Sequence, residues 1–321
     1  MVNGDKSNKM GMNKKGIFFT LVVIASISLF LISYTFYKNY SERNTIHSRI
    51  NTLNTFIFSV EENLERQIFI SGFRSLFVMQ TESVEHGAYI SNATIYLNEL
   101  FYNGTYNGIS FCDYENNKII MCGATFTDIQ EAIQTKSNKV NAYIYLNNPS
   151  IYLTQSDPWH VDIVFTTDIN AQDQGNLVYW NKTKTYISKV PIKDFEDPLY
   201  LINTGGKVSN KVVKTPFTTF ANGTNVTNLN NHTASKYYKA SNKAPSYLNR
   251  LQGSSSADEN GIESLVYIPQ LSNQGITPKD KSVVDYIYFS TNDPASCRIT
   301  GTPSWFKIDQ EHLSDYQVSC S

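Results

Sequence analysis

The sequence predicts an α+β protein with a long N-terminal transmembrane and stalk helix, followed by an antiparallel β-sandwich head of jelly-roll type. An uncharged apolar run at 17–37 passes into a spaced apolar stripe, which indicates one continuous helix. The region 140–200 instead holds short alternating runs with turn signals at about ten-residue spacing, as in an antiparallel sandwich. The 21 Tyr and 18 Phe also favour strands.

These patterns divide the 321-residue chain into four parts. We assign 1–16 to a basic leader, 17–37 to a transmembrane helix, 38–85 to a stalk helix and 86–321 to a β-rich extracellular head with a polar loop at about 203–244. The late apolar runs at 261–268 and 282–289 read as strands, and we expect them to complete the sheet that begins near residue 140.

The run from Ile17 to Tyr37 has the length and composition of a membrane-spanning helix. Its 21 residues include no charge and no proline, and at about 1.5 Å per residue they span the ~30 Å hydrocarbon core. Lys14 and Lys15 directly before it favour a cytoplasmic N-terminus. A cleaved secretory signal is the alternative, but its apolar core has only ~7–15 residues and ends at a small-residue site, which is missing here. We predict a single-pass protein of the cell membrane.

An apolar stripe continues beyond the membrane with alternating spacings of four and three residues. Its members are Ile46, Ile50, Leu53, Ile57, Val60 and Leu64. A heptad seam of this kind packs against another helix, so it predicts self-association of the stalk. An amphipathic helix lying on its own head gives the same pattern, and the sequence leaves both readings open. Further along, Gly72 is expected to allow close packing.

Four cysteines lie beyond the predicted membrane span: Cys112, Cys122, Cys297 and Cys320. An even number outside the cytoplasm indicates disulfides, and three pairings are possible. We favour the local pairs. The first pair flanks a predicted hairpin that turns at Asn116-Asn117, and the second would hold the C-terminal tail to the head. Four buried free thiols are the alternative.

The head also contains Asn-x-Ser/Thr acceptor sequences for N-glycosylation. The asparagines are Asn92, Asn103, Asn181, Asn222, Asn225 and Asn231. All six lie outside the predicted membrane span, and three are in the polar loop. They are therefore candidate glycosylation sites.

No catalytic or cofactor motif stands out in the chain. The five histidines have no metal-ligand spacing. The segment 261–265 resembles a nucleophile elbow only superficially, because its serine is displaced and the following glycine is missing. The weak candidates for a calcium site are two carboxylate groups: Asp162, Asp168 and Asp173, and Asp194, Glu196 and Asp197. The chain has a net charge of −1, of which the leader contributes +3 and the rest −4, which disfavours nucleic-acid binding.

The junction Lys14-Lys15-Gly16-Ile17-Phe18-Phe19 resembles the class III leader of archaeal type IV pilin-like proteins, in which a short basic segment ends in glycine directly before the apolar helix. The resemblance implies that a prepilin peptidase cuts between Gly16 and Ile17, and that the mature helix serves as anchor and filament core. It covers about residues 14–40. Leu21 stands where bacterial pilins carry an acidic residue, and the head is larger than in most major pilins.

Three hypotheses of different classes follow. The first is a pilin-like structural or adhesive protein of the cell surface, whose partners are the lipid bilayer, a prepilin peptidase and other copies of itself. The second is a monomeric tethered module whose tyrosine-rich head binds a glycan or a peptide. The third is an anchored hydrolase with carboxylates dispersed along the sequence. Apart from the weak calcium candidates, no cofactor is predicted.

Overall fold

The computed structural model describes residues 14–321, except for the side chains of Lys14, Lys15 and Ile17. Its first element is a single helix of 73 residues, α1, from Lys14 to His86. The other helices are α2 (Ala93–Asn103), α3 (Phe126–Asn138), α4 (Pro198–Asn203), α5 (Thr227–Ala234), α6 (Tyr247–Leu251), α7 (Ile268–Asn273) and α8 (Asp285–Phe289). The strands are β1 (Thr105–Tyr106), β2 (Ile109–Ser110), β3 (Ala142–Asp157), β4 (His160–Asp173), β5 (Tyr179–Pro191), β6 (Tyr238–Ala240), β7 (Ile262–Ser264), β8 (Ser296–Arg298) and β9 (Lys307–Asp309). Most of the predicted leader, residues 1–13, lies outside the described residues.

The largest sheet is a three-stranded antiparallel meander in the order β3–β4–β5. Its inner face, which includes Ile144, Phe165 and Tyr186, is buried against α1, α2 and α3. The outer faces of β3 and β5 are exposed. Strand β3 joins two runs that read as separate strands in the sequence, across a register shift between Asn147 and Ser150.

The predicted β-sandwich is wrong: no closed sandwich forms in the part of the chain that the structure describes. The late strands form separate two-stranded pairs, β6–β7 and β8–β9, and do not join the meander. Helices cover the meander's inner face in place of a second sheet. The run 282–289, predicted as a strand, contains helix α8. In a short run whose residues are nearly all apolar, no polar positions reveal whether the period is that of a strand or of a helix. The sequence pattern therefore predicted the wrong element here.

Helix α1 has two halves with opposite surroundings. From Phe18 to Thr52 its side chains are exposed, whereas from Leu53 onward one face is buried in the head. Leu64 and Ile68 are fully buried. The head therefore begins near residue 53, and the free stalk is shorter than the predicted 38–85, because the second half of the helix is a central part of the core.

At Gly72, helix α1 packs tightly against the meander. A Cβ atom at this position would lie 2.4 Å from Cγ1 of Ile163 on β4. Carbon atoms cannot approach this closely, since their optimal separation is about 3.5–4.0 Å. The expectation that this glycine allows close packing is confirmed.

A second hydrophobic core lies in the C-terminal third of the chain, between residues 200 and 318. The region 203–244, predicted as a polar loop, is largely irregular, but it contributes to this core through buried Phe220 and Leu229, and it contains α5. The prediction of a simple polar loop is therefore wrong for these buried and helical parts. The apolar residues are too sparse to give a periodic signal, and polar side chains such as Asn228, whose Nδ2 donates to the Thr219 carbonyl at 2.9 Å, satisfy the irregular backbone.

Candidate functional site

From Phe18 to Tyr37, helix α1 is an apolar surface without any covering from the head. Large side chains such as Phe18 and Phe30 are 72% and 75% exposed. By length and composition, the helix could cross a membrane. Several of its hydroxyl groups are satisfied within the helix: those of Ser26 and Ser28 donate to carbonyls one turn earlier, at 2.9 and 2.8 Å. Hydrocarbon surroundings demand such internal pairing, because they offer no hydrogen bonds.

The predicted self-association seam mostly faces the protein's own head. Leu53, Ile57, Val60 and Leu64 are only 0–6% exposed. These four residues cannot meet another copy, because the head already covers them. Only Ile46 and Ile50, 36% and 40% exposed, remain free for a contact outside the head. The heptad spacing therefore reflects packing on the head at four of its six positions.

Two disulfides pair Cys112 with Cys122 and Cys297 with Cys320, the local pairings favoured from the sequence. Their Cα atoms are 4.7 and 5.6 Å apart. The first encloses a tight turn in which Asp113 and Lys118 exchange backbone hydrogen bonds of 2.7 and 2.9 Å. The second joins β8 to the C-terminal end of the chain.

The candidate glycosylation residues all lie on the surface of the head. All six asparagines are exposed. Asn92 also caps α2, because its Oδ1 accepts hydrogen bonds from the amides of Thr94 and Ile95. The cap involves only Oδ1 of Asn92. Its Nδ2, the atom to which a glycan would be attached, takes no part in the cap. Asn181 stands on the exposed face of β5.

The carboxylates considered for calcium do not converge among the described residues. Those at 162, 168 and 173 are spread along β4, and Asp173 is paired with Arg49 of α1 at 2.9 Å. In the second group, Asp197 is buried, where it faces Arg250, while Glu196 accepts a hydrogen bond from Ser209 at the surface. Neither group offers a cation several oxygens in one place.

A buried ionic network lies around Arg250 of α6. Its Nη1 is 2.7 Å from Oδ2 of Asp197 and 3.0 Å from Oδ2 of Asp285, and all three side chains are fully buried. Burial by itself would lower the pKa of Arg250, but the two carboxylates outweigh this effect and raise it. Burial also raises the pKa of Asp285. The guanidinium is therefore a permanent cation between two acidic groups.

Two tyrosines attach this network to both hydrophobic cores. Tyr238, from the core around α1, donates to Oδ2 of Asp197 at 2.8 Å. Tyr200, from the second core, lies 2.9 Å from Oγ of Ser264, which donates to Oδ2 of Asp285 at 2.7 Å. The network thus connects the two parts of the head.

A second polar cluster surrounds His312. Its Nδ1 is 2.6 Å from Oδ1 of Asp309, and its Nε2 is 3.0 Å from the Tyr286 hydroxyl and 3.4 Å from Oε2 of Glu263. Burial alone would lower the pKa of His312, but the Asp309 carboxylate bonded to Nδ1 and the Glu263 carboxylate beside Nε2 raise it to about 9. The histidine and both carboxylates are buried, and in the structure they contact one another.

Neither cluster could be found from the sequence. Asp197, Arg250 and Asp285 come from three distant segments, and Glu263 is far from His312 along the chain. The only local signal is the spacing of three residues between Asp309 and His312, which is common in turns and has no specific meaning.

A mixed α+β head on a helix that could span a membrane defines the class of this protein. No family model, no curated protein and no solved structure matches the chain.

Proposed function

We propose that the protein is a membrane-anchored structural or adhesive protein of the cell surface, of the pilin-like kind. The observation that carries this proposal is that α1 is apolar and exposed up to Tyr37, whereas from Leu53 onward it belongs to the core of the head. A helix that is apolar on all sides must be covered by lipid or by similar helices. A head attached rigidly to such a helix is held at a fixed distance from the membrane.

In this proposal the bilayer covers residues 17–37, the N-terminus is cytoplasmic and the head is extracellular. The two disulfides support an extracellular head, since disulfides persist in oxidising compartments. The water-exposed part of the helix then begins near Lys38, which lies 3.9 Å from Glu42 one turn later. The exposed asparagines of the head would be accessible for glycosylation.

A prepilin peptidase would remove the leader between Gly16 and Ile17. The Lys-Lys-Gly sequence before the apolar helix supports this step. Gly16 is exposed, and a Cβ atom added there would meet no atom within 4 Å, so the head does not cover the junction. Because the cut precedes the apolar helix, the anchor stays with the head.

The test of this proposal is the N-terminus of the mature protein. We expect mass spectrometry of the protein from membranes that contain a prepilin peptidase to identify Ile17 as the first residue. Gly16→Asp should abolish processing, because it adds a charge and bulk at the cleaved bond. Gly16→Ala, which adds one methyl group in open space, is the matched control and should still be cut.

Two results would contradict the proposal. One is a parent protein that begins at Met1 or Met12, and the other is a Gly16→Asp variant that still begins at Ile17. Near-UV circular dichroism should be the same for all variants, since Gly16 makes no contact with the head. A changed spectrum would show a folding defect instead.

The exposed face of the meander favours a second candidate, a tethered module that binds a glycan. Tyr143 and Tyr145 on β3 and Tyr179 on β5 are 41–63% exposed on this face. The register places Asn170 and Asn181 in one row with Tyr145. Aromatic rings beside amide groups suit sugars, which stack on rings and exchange hydrogen bonds with amides. If the N-terminus is not processed, the glycan-binding module is favoured over the pilin-like protein.

A further inference from the structure

Three ligand atoms for a metal ion lie close together at the edge of the second core. They belong to Glu263, His312 and Asp315, and all lie within 4.8 Å of one another. We propose that these three residues bind a transition-metal ion of the Zn²⁺ class, which holds the C-terminal segment to strand β7. This proposal does not depend on the proposed function.

Asp309 determines which ring nitrogen of His312 faces the cluster. Its Oδ1 lies 2.6 Å from Nδ1, which can therefore donate its proton to the carboxylate, while Nε2 faces Glu263. Ser282 donates to the other oxygen of Asp309 at 2.8 Å, so the orienting carboxylate is itself held in place. A carboxylate bound to the distal nitrogen of a histidine is the usual outer partner of a metal-ligating imidazole.

Glu263 supplies an independent observation that points to a cation. Its side chain is completely buried, and neither oxygen accepts a short, well-aligned hydrogen bond among the described residues. Lys239 Nζ and His312 Nε2 are its nearest cationic groups, each 3.4 Å from one of its oxygens. Buried carboxylates normally accept several hydrogen bonds or coordinate a metal. An ion beside Oε2 would satisfy this requirement.

The distances suit a small tetrahedral ion. Ligands that are each about 2.0–2.1 Å from a tetrahedral ion lie roughly 3.3–3.4 Å from one another. Nε2 of His312 and Oε2 of Glu263 are already 3.4 Å apart. Asp315 is half-buried, so its side chain can close the remaining distance. One imidazole with two carboxylates suits Zn²⁺ better than Ca²⁺, which prefers oxygen ligands alone.

Groups already at the cluster can adjust to the ion. Lys243 Nζ contacts Oδ2 of Asp315 at 2.7 Å and leaves Oδ1 for the metal. Lys239 can stay with the second oxygen of Glu263. When the ion binds, any proton on Nε2 of His312 passes to solvent, and the Tyr286 hydroxyl, now 3.0 Å from Nε2, gives up that contact.

Bound metal would connect two segments of the second core. Glu263 belongs to β7, whereas His312 and Asp315 lie in the turns after β9 that the Cys297–Cys320 disulfide encloses. The ion would therefore attach the C-terminal turns to β7, in addition to the Cys297–Cys320 disulfide, which attaches the end of the chain to β8.

Zinc titration of the full chain in detergent tests this proposal. The protein carries a purification tag without histidine, is stripped with EDTA and desalted, and is titrated with ZnCl₂ alone at pH 7 by calorimetry. We expect one Zn²⁺ per chain. Glu263→Gln should weaken binding at least tenfold, and Asp309→Asn should weaken it by about 10–100-fold, through the orientation of the histidine.

His160→Gln is the matched control, because His160 also pairs with an aspartate three residues earlier, at 2.9 Å, but at the surface. This variant should bind zinc like the parent. If Glu263→Gln does not fold, as judged by near-UV circular dichroism, Asp315→Asn at the half-buried position takes its place. A parent that binds no zinc, or ligand variants that bind it with parental affinity, would overturn the site. Tighter binding of Ca²⁺ than of Zn²⁺ would overturn the choice of metal.

Discussion

Gly72 lies where helix α1 packs against strand β4, and the absence of a side chain there leaves room for Ile163. A glycine inside a helix costs about 1 kcal/mol relative to alanine, so its presence needs a compensating reason. That reason is Ile163, whose side chain fills the position that a Cβ atom at residue 72 would occupy.

We expect Gly72→Ala to lower the free energy of unfolding, although alanine is the better helix former. The added methyl group overlaps Ile163, and such overpacking costs about 1–3 kcal/mol, which exceeds or cancels the gain of about 1 kcal/mol in helix propensity. Denaturant unfolding of the full chain in detergent measures the change. Ile163→Ala in the same chain should recover part of the loss in a double-mutant cycle. If Gly72→Ala were instead more stable than the parent, the backbone of α1 or β4 would have to shift enough to accommodate the added methyl group beside Ile163.

Helix α1 passes through two different environments. It is apolar on every side up to Tyr37 and mainly polar and exposed over residues 38–52, while from Leu53 onward it has one buried stripe. The change occurs near Leu53, where the heptad stripe enters the head. Any association of copies through the exposed helix must therefore involve residues before this point.

We expect the double substitution Ile46→Asp and Ile50→Asp to reduce self-association without unfolding the head. Both side chains are exposed, and charges there would repel between neighbouring copies while remaining in water within one copy. Chemical cross-linking in membranes measures the association. Ile57→Asp is the informative comparison, because this residue is buried and its substitution should unfold the head instead. An unchanged cross-linking pattern in the first variant would exclude this stretch as an assembly surface.

A buried polar network connects the two cores of the head. Arg250 contacts acidic residues from the segments before α4 and at the start of α8, and it also donates to the backbone carbonyl of Ile262. Buried ion pairs of this kind give little net stability, but the loss of one partner leaves a buried charge without compensation.

We expect Arg250→Met to lower the free energy of unfolding by about 3–5 kcal/mol, because it leaves Asp197 and Asp285 buried without their cation. Chemical denaturation followed by tyrosine fluorescence and circular dichroism measures the loss. Converting both aspartates to asparagine in the same chain should restore part of it. Lys38→Ala, at an ion pair that is more than 60% exposed on both sides, is the surface control and should change stability by less than about 1 kcal/mol. A small effect of Arg250→Met would mean that the two cores do not depend on this network.

Local patterns predicted the elements whose signal is contained in a short stretch of sequence. The apolar run of α1, the turn between Cys112 and Cys122 and the main meander strands belong to this group. Each depends on periodicity, charge or turn residues that neighbouring positions provide. The cut at Gly16 and the association of copies remain predictions from such local patterns.

The sequence by itself determined that a long apolar helix precedes a strand-containing head with local disulfides, because length, periodicity and spacing are properties of adjacent residues. Only the tertiary structure decided which partner covers the stripe from Leu53 to Leu64, and it was the head's own core. The tertiary structure also decided that part of the predicted polar loop belongs to a second core. It likewise decided that Arg250 and His312 pair with carboxylates from distant parts of the sequence. The physical reason is that burial and charge pairing are properties of contacts between remote segments, which no local pattern encodes.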